Sequence, residues 1–202
     1  MKLISIVCSL ALSIVPAIAA EEGFVTIFNG TNLDGWKVSE KPDSFSIQDG
    51  MIVAAGPRAH CFYMGADGKA NFKDFELRLD VMTKKSANGG VFFHTTWQET
   101  GWPKQGYEVQ VNNTQKDWRK SGGLYAVVDN KEPFKDDEWM KYIIRVEKGV
   151  INVSINGKEV VKDFKPEGKQ DKLVEAGGTF ALQAHDPGST IFYKNIRVKK
   201  LD

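Results

Sequence analysis

The feature that most restricts what this chain can fold into is a hydrophobic period of two. Phe75, Leu77, Leu79 and Val81 alternate with Glu76, Arg78 and Asp80. Such a segment buries one face and wets the other as a strand, whereas as a helix it would smear its apolar residues around the axis. The pattern returns at Tyr107/Val109/Val111, Ile151/Val153/Ile155, Phe180/Leu182/Ala184 and Ile196/Val198. The turns agree with it. Asp49-Gly50 and Asn156-Gly157 separate short apolar runs, and both dipeptides suit a hairpin in which two consecutive residues take positive φ. Lys148-Gly149 adds a further connection, so a three-strand meander is expected over residues 140–163. No window carries an amphipathic helical stripe longer than about 10 residues.

About a dozen short strands are therefore expected. No Pro-, Gly- or Ser-rich linker divides them, and no period of about 20–50 residues repeats. Antiparallel strands in this number must stack or close to hide their edges. The expected fold is all-β: a jelly-roll sandwich of two antiparallel sheets, forming one domain over residues 20–202.

The first residues read as an address. Lys2 precedes an apolar run, Leu3 to Ile18, and Ala17-Ile18-Ala19 has the small-x-small form of a cleavage site. Residues 1–19 are read as a secretory signal peptide. The run is shorter than the roughly 20 apolar residues of a membrane span and is broken by Ser5, Ser9, Ser13 and Pro16, so no stable membrane anchor is expected. The expected location is exported, periplasmic or extracellular. The whole chain has 27 basic and 26 acidic residues. Loss of the leader removes Lys2 and Cys8, which leaves the two signs equal and Cys61 as the remaining cysteine. Equal charge gives no electrostatic footprint for nucleic acid. A lone cysteine in an exported chain leaves stability to the core, and Cys61, in an apolar run, is read as a buried small hydrophobe. The oligomeric state stays open.

Chemistry is expected on the polar faces of a few strands. Alternation puts Glu108 and Gln110 on one face, about 7 Å apart at about 3.4 Å per residue. Gln183 and His185 share a face of another strand, and His94 ends the apolar run from Val91. If these strands are neighbours, a carboxylate, amides and imidazoles share one surface, and such groups move protons and orient hydroxyls near neutral pH. The bland reading is that outer-face polar residues are merely solvated. His60, within an apolar run, is read as structural. Trp97, Trp102 and Trp118 lie in polar loops flanking the Glu108 strand, where an exposed indole suits the apolar face of a sugar. Trp36 and Trp139 stand beside strand starts and are expected in the core. No Cys/His metal spacing, Asp-rich calcium loop, P-loop, nucleophile elbow or dinucleotide fingerprint is present, so no cofactor and no metal ligand are predicted. A divalent cation held by backbone carbonyls would leave no trace in sequence.

Several segments, in order, resemble the domain of formerly unknown function 1080, described as 3-keto-disaccharide hydrolase or 3-keto-glucoside lyase/hydratase. They include Leu33-Asp34-Gly35-Trp36, Gly89-Gly90-Val91-Phe92-Phe93, Gly106-Tyr107-Glu108-Val109-Gln110, Gly123-Leu124-Tyr125 and Leu182-Gln183-Ala184-His185, within about residues 23–202. The resemblance implies a concanavalin A-like jelly roll and carbohydrate chemistry outside the cytoplasm. Its Glu-x-Gln strand falls on Glu108 and Gln110, and its Gln-x-His strand on Gln183 and His185. The family commonly has arginine where this chain has His94, and glycine where it has Asp186. The implied ligand is an oligosaccharide or 3-keto-glycoside. A ketone at C3 acidifies the C2 proton, so elimination at C1 followed by hydration needs a base, an acid and a donor to the enolate oxygen. Glu108 and His185 are the candidate pair, in either order. Gln110, Gln183, His94, Trp97, Trp102 and Trp118 are the candidate binding residues. Direct hydrolysis between two carboxylates would need a second acid such as Asp186. A non-catalytic carbohydrate-binding module of the same fold, or a surface domain without sugar binding, is the alternative.

Overall fold

The computed structural model describes residues 22–201, so the leader expectation lies outside the described residues. In chain order the strands are β1 (Val25–Thr26), β2 (Trp36–Val38), β3 (Phe45–Gln48), β4 (Met51–Ala55), β5 (Ala59–Tyr63), β6 (Phe75–Thr83), β7 (Asn88–Thr95) and β8 (Tyr107–Asn112). They continue as β9 (Lys120–Leu124), β10 (Val128–Asn130), β11 (Met140–Glu147), β12 (Val150–Ile155), β13 (Lys158–Phe164), β14 (Thr179–Ala184) and β15 (Thr190–Lys200). Two short 3-10 turns, Pro42–Ser44 and Gly168–Gln170, interrupt the connections.

The strands form two antiparallel sheets. One has the order β13-β12-β11-β6-β15-β4-β3, with β1 also on β15; the other runs β10-β9-β8-β7-β14-β5-β2. The alternation read in sequence sets the inner faces. Phe75, Leu77, Leu79 and Val81 of β6 are at most 1% exposed, and Val91, Phe93, Val109, Val111, Phe180 and Leu182 from the second sheet belong to the same core cluster. Burial of apolar side chains at this density is the main stabilising term. The expected hairpins occur: Asp49 and Gly50 take φ of 48° and 76°, and Asn156 and Gly157 take 53° and 80°. The meander is β11-β12-β13. Cys61 is buried, and burial pushes its thiol well above the usual range, so it behaves as an apolar residue. Trp36 joins the core and donates its indole N–H to the Ile27 carbonyl at 2.6 Å. Trp139 does not: it is half-buried, and the Lys194 ammonium lies 3.8 Å from its ring centroid.

Candidate active site

The outer face of the seven-stranded sheet is built from β5, β14, β7 and β8, which lie side by side. The sequence could place Glu108 and Gln110 on one face; it could not tell that β7 and β14 stand next to that strand. The pairing brings Gln183 close enough to donate from Nε2 to Glu108 Oε1 at 3.3 Å, reaching over β7. Gly90 makes that reach possible. A Cβ there would meet Glu108 Oε1 at 2.4 Å and Cγ at 2.7 Å. The bare backbone of β7 is the surface on which the Glu108 side chain lies.

A cleft of about 440 Å³ opens over these groups. Its floor and walls include Glu108, Gln110, Gln183 and His185, with Trp102 on one side and Tyr125 on another. A larger groove of about 630 Å³ lies along the eight-stranded sheet, lined by residues such as Phe24, Asp80 and Lys141. The smaller cleft is the better candidate because buried polar atoms without protein partners converge on it. Gln110 Oε1 and Gln183 Oε1, on two lining residues, are in this condition, as is Nδ1 of His60, whose other ring nitrogen approaches Gln183. Leaving such atoms unpaired is costly, so they mark a place where water or a ligand bonds.

The electrostatics of the floor separate its titratable groups. Burial pushes the Glu108 carboxyl up to about 8, against the opposing pull of the Gln183 hydrogen bond and the Lys172 charge. Glu108 is therefore a neutral acid at neutral pH. Burial also pushes His60 down to about 4, partly offset by Glu40, so this imidazole stays uncharged. His60 Nε2 lies 3.5 Å from Gln183 Nε2, and its ring packs edge-on against Phe92 and Trp102 with centroids 5.3 and 5.7 Å away. His185 differs in being half-buried, with Nδ1 2.8 Å from Asp186 Oδ2 and the Trp102 ring 5.4 Å from its own. Gln110 donates from Nε2 to Asn88 Oδ1 at 3.2 Å.

Trp102 is held over the two histidines by its loop. Arg58 makes a two-point ion pair with Glu40 (2.9 and 3.1 Å), and its guanidinium lies 5.2 Å from the Trp102 ring centroid. Glu40 also accepts the Gly101 N–H, and Gln98 binds the Trp102 carbonyl from within the loop. The indole nonetheless stays 46% exposed, available to a ligand.

Three of the predicted binding residues are placed elsewhere. His94 sits at an irregularity between β7 and β14, where its φ of 53° turns the side chain away from the cleft. It is 2% exposed, donates from Nε2 to the Lys73 carbonyl at 2.8 Å and accepts the Val174 N–H on Nδ1 at 3.0 Å. Both ring nitrogens are thus consumed in joining two loops. His94→Ala should lower stability by about 2–3 kcal/mol in a denaturant melt, from two lost buried bonds and a cavity, with kcat unchanged. Trp97 packs edge-on against Phe62 under the Lys37 ammonium, outside the cleft lining. Trp118 is exposed, with Arg119 and Lys131 at its ring, and also falls outside that lining. Tyr125, Asp117 and Lys172 take those places instead.

Comparison with known proteins now bears on this cleft. Residues 23–199 match the model of the 3-keto-alpha-glucoside-1,2-lyase-like domain. This chain belongs to that family. A 3-keto-disaccharide hydrolase of Bacteroides thetaiotaomicron is 29% identical over 235 aligned positions, which cover 90% of this chain and 79% of the relative. A crystal structure of a candidate glycosyl hydrolase from Parabacteroides distasonis superposes with a TM-score of 0.73 at 22% identity, covering 90% and 95% of the two chains. A carbohydrate-binding module of Bacillus subtilis gives 0.60 at 15% identity, with 84% and 98% covered. These structural likenesses establish the jelly-roll fold. Membership of the 3-keto-alpha-glucoside-1,2-lyase-like family supports a hydrolase-like action on carbohydrate. Within that frame, the residues missed in sequence are of a different kind from those found. Asp117, Tyr125 and Lys172 reach the cleft from loops that alternation does not describe, Asn88 stands on β7 in phase with Gly90 and Phe92, and His60 reaches it through Gln183.

Proposed function

We propose that this protein is an exported enzyme that cleaves 3-keto-glycosides by elimination and hydration, with His185 as base and Glu108 as acid. One observation carries the assignment: a carboxyl that burial keeps protonated near neutral pH shares a cleft with an imidazole whose Nδ1 is engaged by a carboxylate. Two carboxylates flanking a glycosidic bond, one acid and one ionised, would be the pattern of direct hydrolysis. Here Asp186 is turned onto His185, and Asp117, the other carboxylate of the lining, accepts the Arg119 N–H and faces its guanidinium at 3.8 Å.

In the first half-reaction His185 Nε2 takes the C2 proton beside the C3 ketone, and the electron pair forms the enolate. The enolate then expels the C1 oxygen, to which Glu108 gives its proton. The products are an alcohol and an enone with a C1–C2 double bond. In the second half, water adds at C1, Glu108 carboxylate takes its proton, and the His185 imidazolium returns a proton to C2. No redox change occurs. Gln110, one of whose N–H groups has no partner among the described residues, is the donor for the enolate oxygen. The unpaired oxygens of Gln110 and Gln183 accept sugar hydroxyls. Export rests on the apolar leader from Leu3 to Ile18.

The test is release of monosaccharide from 3-keto-trehalose or 3-keto-lactose, run beside the parent sugars. Release from the keto sugars alone is the expected result. Saturable binding without release would replace this reading with that of a carbohydrate-binding module.

A further inference from the structure

The turn after β14 carries more than a connection. Asp186 Oδ2 lies 2.8 Å from His185 Nδ1 and accepts the Ser189 hydroxyl at 2.9 Å, while Oδ1 accepts the Gly188 N–H at 2.8 Å. Ser189 Oγ is itself an acceptor for the Asn88 N–H at 2.9 Å, so its one proton is left for Asp186. Ser189 is 2% exposed and Asn88 5%. Donors therefore converge on both oxygens of Asp186, an arrangement that suits a carboxylate and not a carboxylic acid. An ionised carboxylate can only accept, so the proton between it and His185 belongs to Nδ1. Nε2 then has a lone pair, and no bond to it is made within the described residues.

We propose that Asp186, anchored by Gly188 and Ser189, is a positioning residue that fixes His185 as the Nδ1–H tautomer and leaves the Nε2 lone pair for the cleft. The proposal deepens the reading above, which needs a base at His185, and rests on it for its catalytic consequence. Burial would raise the Asp186 carboxyl, but the bonds from His185, Ser189 and Gly188 outweigh it and hold the group below the usual carboxylate range. The other charged or titratable groups around His185 are Glu108, Asp117 and Lys172 in the cleft wall, and His60 and Arg58 beside Trp102. Among the described residues Asp186 is the one with a hydrogen bond to the imidazole. The same chain of bonds continues from Ser189 through Asn88 to Gln110, so the base and the enolate donor share one support.

The variant that reads this out is Asp186→Asn. The Gly188 N–H cannot turn away, so the amide oxygen stays with it and the amide N–H faces Nδ1. That reverses the tautomer. Asp186→Ala removes the acceptor without supplying a donor. The chain has three histidines, so the imidazole nitrogens can be assigned in 15N-labelled protein. The wild type should show His185 protonated on Nδ1 and bare on Nε2; Asp186→Asn should show the opposite. On a 3-keto-disaccharide, kcat should fall about 100-fold in Asp186→Asn and about 10-fold in Asp186→Ala, with KM within about threefold. A wild-type His185 protonated on Nε2 overturns the proposal without need of any variant. An unchanged tautomer in a folded Asp186→Asn protein overturns it as well. A reversed tautomer with wild-type kcat leaves Asp186 in this role and overturns His185 as the base.

Discussion

Glu108→Gln should abolish turnover and, at the same time, make the fold more tolerant of alkali. The amide has the shape of the neutral carboxyl and can keep the contact with Gln183, but it has no proton to give to the departing C1 oxygen. A fall in kcat on the order of 1,000-fold is expected on a 3-keto-disaccharide, within the usual range for loss of a general acid. The stability effect has the opposite sign. Burial holds Glu108 protonated up to about 8, whereas its ordinary value is 4.5. The folded state thus retains a proton that the unfolded chain gives up. Wild-type stability contributed at this site is present below the ordinary value and is lost as pH rises toward and past about 8. The glutamine variant does not titrate. Its melting temperature relative to wild type should rise from pH 5 to pH 9 by several degrees. Wild-type turnover should fall as pH passes about 8, for the same reason. Thermal melts at the two pH values and initial rates across the range check both halves. A variant that turns over at the wild-type rate sinks the acid assignment; one that loses activity with no alkaline gain in stability sinks the buried neutral carboxyl.

What sequence revealed about this protein divides along a physical line. Alternation is a local property, because successive side chains of a strand point to opposite faces whatever lies beside it. The inner faces of β6, β8, β12 and β14, the hairpin turns and the pairing of Glu108 with Gln110 on one face were accordingly legible. The order of strands is non-local. β14 follows β13 in the chain but lies between β7 and β5, so the meeting of Gln183 with Glu108 and His60 depends on pairings between residues 75 and 123 positions apart. His94 shows the other limit. It continues the apolar run of β7 by sequence, yet a shift in register and a left-handed backbone carry it out of the cleft. The tryptophans show a third limit: loop direction has no period. Trp102 reaches the site because Glu40 and Arg58 hold its loop there, and nothing near Trp97 or Trp118 in sequence tells them apart from it.

Gly90→Ala should cost nearly as much activity as a direct change in the cleft, although an added methyl group carries no chemistry. Gly90 has no positive φ to protect, so alanine suits its backbone and reduces the freedom of the unfolded chain. The obstacle is Glu108. The new Cβ would stand 2.4 Å from Oε1, 2.7 Å from Cγ and 2.9 Å from Cδ, all well inside contact distance. The carboxyl is the flexible end and must move, by about 1 Å or more. Displacement of that size at a reacting group costs roughly 100-fold in rate, and a similar fall in kcat is expected here with thermal stability close to wild type. The displaced carboxyl also loses Gln183 and gains water, so its ionisation should return toward the ordinary carboxylate range and the alkaline fall in activity should begin well below pH 8. The double variant separates this account from a general disturbance of β7. If glycine acts only by making room for the acid, adding Gly90→Ala to Glu108→Gln removes nothing further, and the two effects fail to add. Additive losses would place the role of Gly90 elsewhere, in the path of the substrate over the strand.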